Sequence, residues 1–144
     1  MQKKEQGFTL IELMVTIAVM AVLASFAAPS FGNMLERYKL KKNTEELANI
    51  IKEARAKAIL EVKDVTLKID STAADTASVL NWKATSPVRL KNLTQNEIKF
   101  SAKGIYVGSF DQIELCKKTG ASESQIIRID KFGKIRKIEA GSCP

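Results

Sequence analysis

Three sets of side chains in this sequence are placed to do chemistry. The first is a single carboxylate. Residues 8–28 contain no Lys, Arg, Asp, Asn or Gln, and Glu12 is their one charge. A carboxylate inside a bilayer-spanning helix costs at least a few kcal/mol. Such a cost suits a group that must find a positive partner within the membrane. One such partner is a free amino terminus on a neighbouring copy, created by a cut between Gly7 and Phe8. The second set is Cys116 and Cys143, the two cysteines of the chain. In a domain outside the cytoplasm an even pair reads as a disulfide. The third set is basic: Arg128, Lys131, Lys134, Arg136 and Lys137 crowd one short stretch. Cations so grouped can neutralise phosphates.

Other chemistries are poorly served. The chain has no His. That removes the usual general base, the Ser-His triad and the commonest metal ligand. The cysteines have no C-x-x-C spacing, and no Gly-rich loop leads into Lys-Ser or Lys-Thr. Glu45 and Glu46 stand on a helical pattern among lysines, which reads as a solvated face. The sequence makes no case for an enzyme, and it implies no metal and no cofactor.

The elements that must hold these groups follow from periodicity. Residues 8–28 would make about 30 Å of helix, enough to cross a bilayer core. Lys3 and Lys4 precede the run, and a positive flank stays in the cytoplasm. The remainder then lies on the far side of the membrane as one small domain. Pro29 ends the run, with Gly32 close by, which predicts a kink or local melting between residues 26 and 32. Helical spacing then resumes: Leu40, Thr44, Leu47, Ile51, Ala54 and Ala58 form one stripe, and Lys41, Lys42, Glu45, Glu46, Lys52, Glu53 and Lys57 cover much of the rest. The expected helix runs over residues 8–61.

From Val62 the period changes to two. Val65, Leu67 and Ile69 alternate with polar residues, and so do Ile98 and Phe100. Further strands are expected around Trp82, at residues 88–90, 105–107, 113–116 and 125–129, and at 134–138. A polar turn is expected at residues 117–124, and a turn at 130–133 closes a hairpin. The fold class is α+β, a long helix packed by its second half on an antiparallel β-sheet head. The expected segments are a leader at 1–7, a membrane half-helix at 8–28, an amphipathic half-helix at 29–61 and a β-rich head at 62–144.

The block Gly7-Phe8-Thr9-Leu10-Ile11-Glu12 resembles the class III signal of type IV pilins and type II secretion pseudopilins. The resemblance implies that a prepilin peptidase cuts after Gly7 and N-methylates Phe8. It implies that Glu12 serves assembly, and it matches Pro29 to the family's helix-kinking proline. It places the protein in the inner membrane, single-pass with the head in the periplasm, and then in a pilus at the cell surface. Its partners would be other minor pilins and the major pilin, through the N-terminal helix.

The head is similar to the pseudopilin H and FimT/FimU group of minor pilins. The matching stretches are residues 98–104 with 113–116, then 126–136, and the ending Ser142-Cys143. This likeness implies a low-abundance subunit of a tip or initiation complex, serving twitching, adhesion or DNA uptake. FimT-like members resemble DNA receptors through a Gly-Arg-x-Arg motif. Here Gly133, Lys134, Ile135 and Arg136 occupy it, and Lys lacks the bidentate fork of Arg. Strand alternation would put Lys134 and Arg136 on one face. Residues 117–144 carry seven basic and three acidic side chains within a chain of net charge +7, which suits either a DNA backbone or a solvated sheet edge. Three functions stay open: a structural minor pilin, a DNA-binding minor pilin for natural transformation, and a type II secretion pseudopilin.

Overall fold

The side chains Leu40, Asn43, Thr44, Leu47, Ala48, Ile51, Ala54 and Ala58 are all buried. Their spacing of three and four residues is that of one helical face, and it sets how the head is built. The computed structural model describes residues 7–92, 94, 96–117 and 122–143. Helix α1 is Leu10–Leu60, shorter at both ends than the expected 8–61. The chain divides into two compact units, Met1–Leu35 and Glu36–Pro144.

In the first unit none of the helix side chains that are described is buried. Leu10, Ile11, Leu13, Met14, Val15, Ile17, Val19, Met20, Val22, Leu23 and Phe26 are all exposed. Its small polar side chains turn back on the helix: Thr16 Oγ1 donates to the Leu13 carbonyl at 2.8 Å and Ser25 Oγ to that of Val22 at 2.6 Å. Each hydroxyl is thus satisfied without water. Helix α1 stays continuous but bends by 42° between Phe26 and Ser30, around Pro29. Among the described residues no single helix is long and apolar enough to cross a membrane. The bent pair Leu10–Phe26 and Ser30–Leu60 meets that requirement by length and composition.

In the second unit the buried helical face meets seven strands in two sheets. The strands are β1 (Val65–Ile69), β2 (Val79–Trp82), β3 (Val88–Leu90), β4 (Glu97–Phe100), β5 (Gln112–Lys117), β6 (Ser122–Ile129) and β7 (Ile135–Cys143). One sheet has the order β2-β1-β4 and the other β3-β5-β6-β7. Alternation decides which side chains point inward. Val65, Leu67 and Ile69 of β1 join Leu80, Trp82, Ile98 and Phe100, while Val88, Leu90, Ile113, Leu115, Ile127 and Ile129 come from the second sheet. Asn43 is buried yet satisfied: its Nδ2 donates to the Lys39 carbonyl, and its Oδ1 accepts the Thr85 amide at 2.7 Å.

Two features differ from the expected single antiparallel sheet. There are two sheets, and β1 pairs with β2 in parallel, Thr66 opposite Val79 and Ile69 opposite Trp82. The connection, residues 70–78, doubles back because its own polar groups hold it. Asp75 accepts from the Asn81 amide at 2.7 Å, Thr76 Oγ1 from that of Val79 at 3.0 Å, and the Thr76 carbonyl from Lys57 Nζ at 3.1 Å. Residues 105–107 form no strand either. They contribute one bridge, Phe100 to Tyr106.

Candidate functional site

Gly7, Phe8 and Thr9 precede the helix, and Phe8 is 87% exposed. Among the described residues a Cβ added at Gly7 would meet nothing within 4 Å. Thr9 and Glu12 form a reciprocal cap. The Thr9 amide and hydroxyl donate to Glu12 Oε2 at 3.0 and 2.8 Å, and the Glu12 amide donates to Thr9 Oγ1 at 3.3 Å. This is a capping box, spelled Thr-x-x-Glu in the sequence. It holds the one carboxylate of the apolar run at a helix N-terminus, where the unpaired amides favour an anion. The cap adds a role within the chain to the intermolecular one expected of Glu12, and the Thr9-x-x-Glu12 spacing is its sequence signal. Helix α1 runs through Pro29.

The C-terminal hairpin carries the five candidate cations, and most have partners within it. Arg128 and Lys137 face each other across β6 and β7. Both grip Glu139: Arg128 Nε at 2.5 Å from Oε1, Lys137 Nζ at 2.9 Å from Oε2. Hydrogen bonds first from Lys137 and then from Arg128 hold the Glu139 carboxyl below its usual range. Arg128 Nη1 also donates to Gln112 Oε1 at 2.9 Å. Arg136 Nε lies 3.8 Å from Asp130 Oδ2. Lys131 Nζ sits 5.2 Å above the Phe132 ring, a cation–π distance.

Lys134 and Arg136 do not share one strand face. β7 begins at Ile135, so Lys134 lies in the turn, where its amide donates to Asp130 Oδ1 at 2.9 Å. Ile129 pairs with Ile135 but Arg128 with Lys137, a bulge that leaves Arg136 as the extra residue. A bulge re-aims its side chain and breaks strict alternation. Lys117 of β5 is also engaged, near Glu36 and Glu123 at 3.9 and 3.6 Å. Its neighbour in the expected turn, Lys118, and the leader residues 1–6 lie outside the described residues.

Cys116 and Cys143 are joined in a disulfide, with Cα atoms 6.0 Å apart. It ties the last residue of β7 to β5, two strands away in the same sheet. Beside it Glu114 accepts from Ser124 Oγ at 2.5 Å and pairs with Lys91 Nζ at 2.9 Å. Glu114, Cys116 and Cys143 bring three potential metal donors within 4.8 Å of one another. Their two sulfurs are bonded to each other, which leaves one carboxylate and no ligand set.

Residues 2–28 match the family model described as a prokaryotic N-terminal methylation motif. Three curated relatives have similar stretches. A fimbrial protein of Pseudomonas aeruginosa is 36% identical over 63 residues, 44% of this chain and 40% of that one. The type IV major fimbrial protein FimA of Dichelobacter nodosus is 33% identical over 75 residues, 52% and 46% of the two chains. Fimbrial protein Q of Moraxella bovis is 34% identical over 89 residues, 62% and 55%. The matched stretch thus spans about two fifths to just over half of those relatives' length. Among solved structures, the type IV minor pilin FimU of Pseudomonas aeruginosa has the same fold. The TM-score is 0.52 at 15% identity, covering 76% of this chain and 91% of that one.

The chain thus carries an N-terminal methylation motif, resembles fimbrial proteins over about half its length, and has the α+β fold of a type IV minor pilin.

Proposed function

We propose that this chain is a minor pilin of a type IV pilus, built into the tip or initiation complex that primes assembly. Residues 8–28 insert in the inner membrane with the head in the periplasm. Prepilin peptidase cuts after Gly7 and methylates Phe8, and the helix then packs among other pilins, Glu12 taking the amino group of a neighbouring Phe8. The open space around Gly7 suits an approaching peptidase. The fold shared with the minor pilin FimU supports a minor rather than a shaft-forming role.

One observation carries the choice of a structural role over DNA binding. Arg128 and Lys137 spend their charge on Glu139, and Arg136 lies beside Asp130. A phosphate would have to compete with these carboxylates. The test is the triple variant Lys134→Gln, Arg136→Gln, Lys137→Gln of the full chain in detergent. A structural pilin predicts unchanged duplex-DNA retardation and normal pili, while deletion of the gene removes surface pili. A DNA receptor predicts tight wild-type binding whose slope of log K against log[salt] flattens by about 2–3 in the variant. Loss of protein secretion rather than pili on deletion would assign the chain to a type II secretion pseudopilus.

A further inference from the structure

Helix α1 ends in a conformation that its sequence does not favour. The Lys63 amide donates back to the Ala58 carbonyl at 3.2 Å, the six-to-one bond of a Schellman cap. The residue inside that cap is Val62, with φ +50°. Glycine usually occupies such a left-handed position, and a β-branched residue there is an outlier. Burial does not offset the strain, because Val62 is 75% exposed. The cap satisfies a helix carbonyl, but the strained Val62 side chain gains no burial within the chain, and such strain concentrates at functional positions.

Val62 is not alone. Arg55 Nε donates to the Gly104 carbonyl at 3.0 Å and the Phe132 carbonyl at 3.1 Å, drawing two loops to the last turns of the helix. Asp64 fixes the first of these loops to the helix exit by accepting from the Ala102 amide at 3.2 Å. Ile59 packs over Gly104, where an added Cβ would come within 2.5 Å of its Cδ1. The convergence leaves Ile59, Leu60, Val62, Ile105 and Phe132 exposed at one end of the head. Lys103, Lys131 and Lys134 stand exposed on the same two loops. Among the described residues none of these three has a carboxylate within ion-pair distance.

We infer that this end of the head is a docking surface for another protein subunit, one that presents an apolar centre rimmed by carboxylates. Charge chooses the occupant. A second copy meeting the surface face to face would oppose lysine with lysine, which disfavours the pair. Apolar anchors at the centre of such a patch carry most of the binding, and rim charges steer the approach. The inference rests on the filament role proposed above, because it takes the occupant to be another pilin-like subunit.

The test uses the full chain in the producing cell. A photo-crosslinking residue at position 62 (Val62→benzoylphenylalanine) should give an adduct with a different subunit bearing an N-terminal methylation motif. An adduct with a second copy, with lipid or with DNA, or no adduct, overturns the inference. Val62→Gly relieves the strain and removes the anchor. It should melt about 4 °C or more above wild type, yet enter filaments about tenfold less, the loss of one apolar anchor. A variant that melts lower, or that enters filaments like wild type, overturns it as well. Charge reversal at Lys103, Lys131 and Lys134 should lower the position-62 adduct, and an unchanged yield contradicts the proposed rim. If the wild-type chain is absent from sheared filaments, the pilin role fails, but the adduct in the membrane fraction still decides the patch.

Discussion

One helix, α1, serves two regions in opposite ways. In the first unit its large apolar side chains point in every direction and all are exposed, from Phe26 at 76% to Leu35 at 42%. In the second its apolar residues form one stripe, and Leu47, Ile51, Ala54 and Ala58 are each 0% exposed. A helix apolar all round needs an apolar environment on every side, whereas a striped helix needs only one partner surface. The head supplies that partner itself through its two sheets. The first unit's all-round apolar surface suits lipid or other helices. The lesson is that secondary structure is shared while the solvent each half is built for is not. Substitutions should therefore divide: those in the head's buried core change stability, and those in the first unit change assembly.

The largest effect should come from the head's core. Phe100 is fully buried at the junction of β4, the Tyr106 bridge and the turn at Gly133, whose added Cβ would lie 2.5 Å from its ring. Phe100→Ala leaves a cavity that cannot close easily, and should cost about 3–5 kcal/mol. Urea unfolding of the detergent-solubilised chain, followed by Trp82 fluorescence, measures this. A loss below about 1 kcal/mol would mean that the core is not organised around this ring.

Next is Glu12→Ala, which tests the other side of the comparison. The substitution removes one half of the Thr9 cap and the only charge in the run. Its urea midpoint should match wild type, and mass spectrometry should still find cleavage after Gly7. Filament incorporation should fall by one to two orders of magnitude, about the scale of an ionic group left without its partner in lipid. A lowered midpoint in the head with normal filaments would break the division between regions.

These contrasts were unevenly legible in the sequence. The stripe Leu40, Thr44, Leu47, Ile51, Ala54 and Ala58 reads directly as one buried face, and alternation marks β1 and β4. Alternation carries no strand direction, however. The parallel pairing of β1 with β2 depends on how residues 70–78 fold on Asn81, Asp75 and Lys57. Likewise the basic cluster was visible, but its partners were not. Arg128 reaches Glu139 only because the bulge at Arg136 shifts the register by one residue. Val62 gave no signal at all: a valine after a helix reads as the start of a strand, and only backbone geometry reveals its positive φ. Asn43 was equally silent, because its buried amide is satisfied by Thr85, far away in sequence.

The smallest effect concerns a carboxylate inside the head, the counterpart of the one in the apolar run. Glu114 has a side chain only 10% exposed. Burial pushes its carboxyl up, but hydrogen bonds from Ser124 and Lys91, with the Lys91 charge, outweigh burial and leave it below its usual range. A carboxyl depressed in the folded state contributes stability above its unfolded pKa, and that contribution fades as pH falls through the folded value. Wild type should therefore lose stability on acidification from about pH 5 to about pH 3, in part through this group. Asp130 and Glu139 are also depressed and act with the same sign, so the total loss cannot be assigned to Glu114. The difference can. Glu114→Gln keeps an acceptor for the Ser124 hydroxyl and does not titrate. It should be somewhat less stable than wild type near neutral pH, and its urea midpoint should fall less between those two pH values. Parallel midpoint curves for the two proteins would show that the Lys91–Glu114–Ser124 group does not couple to folding.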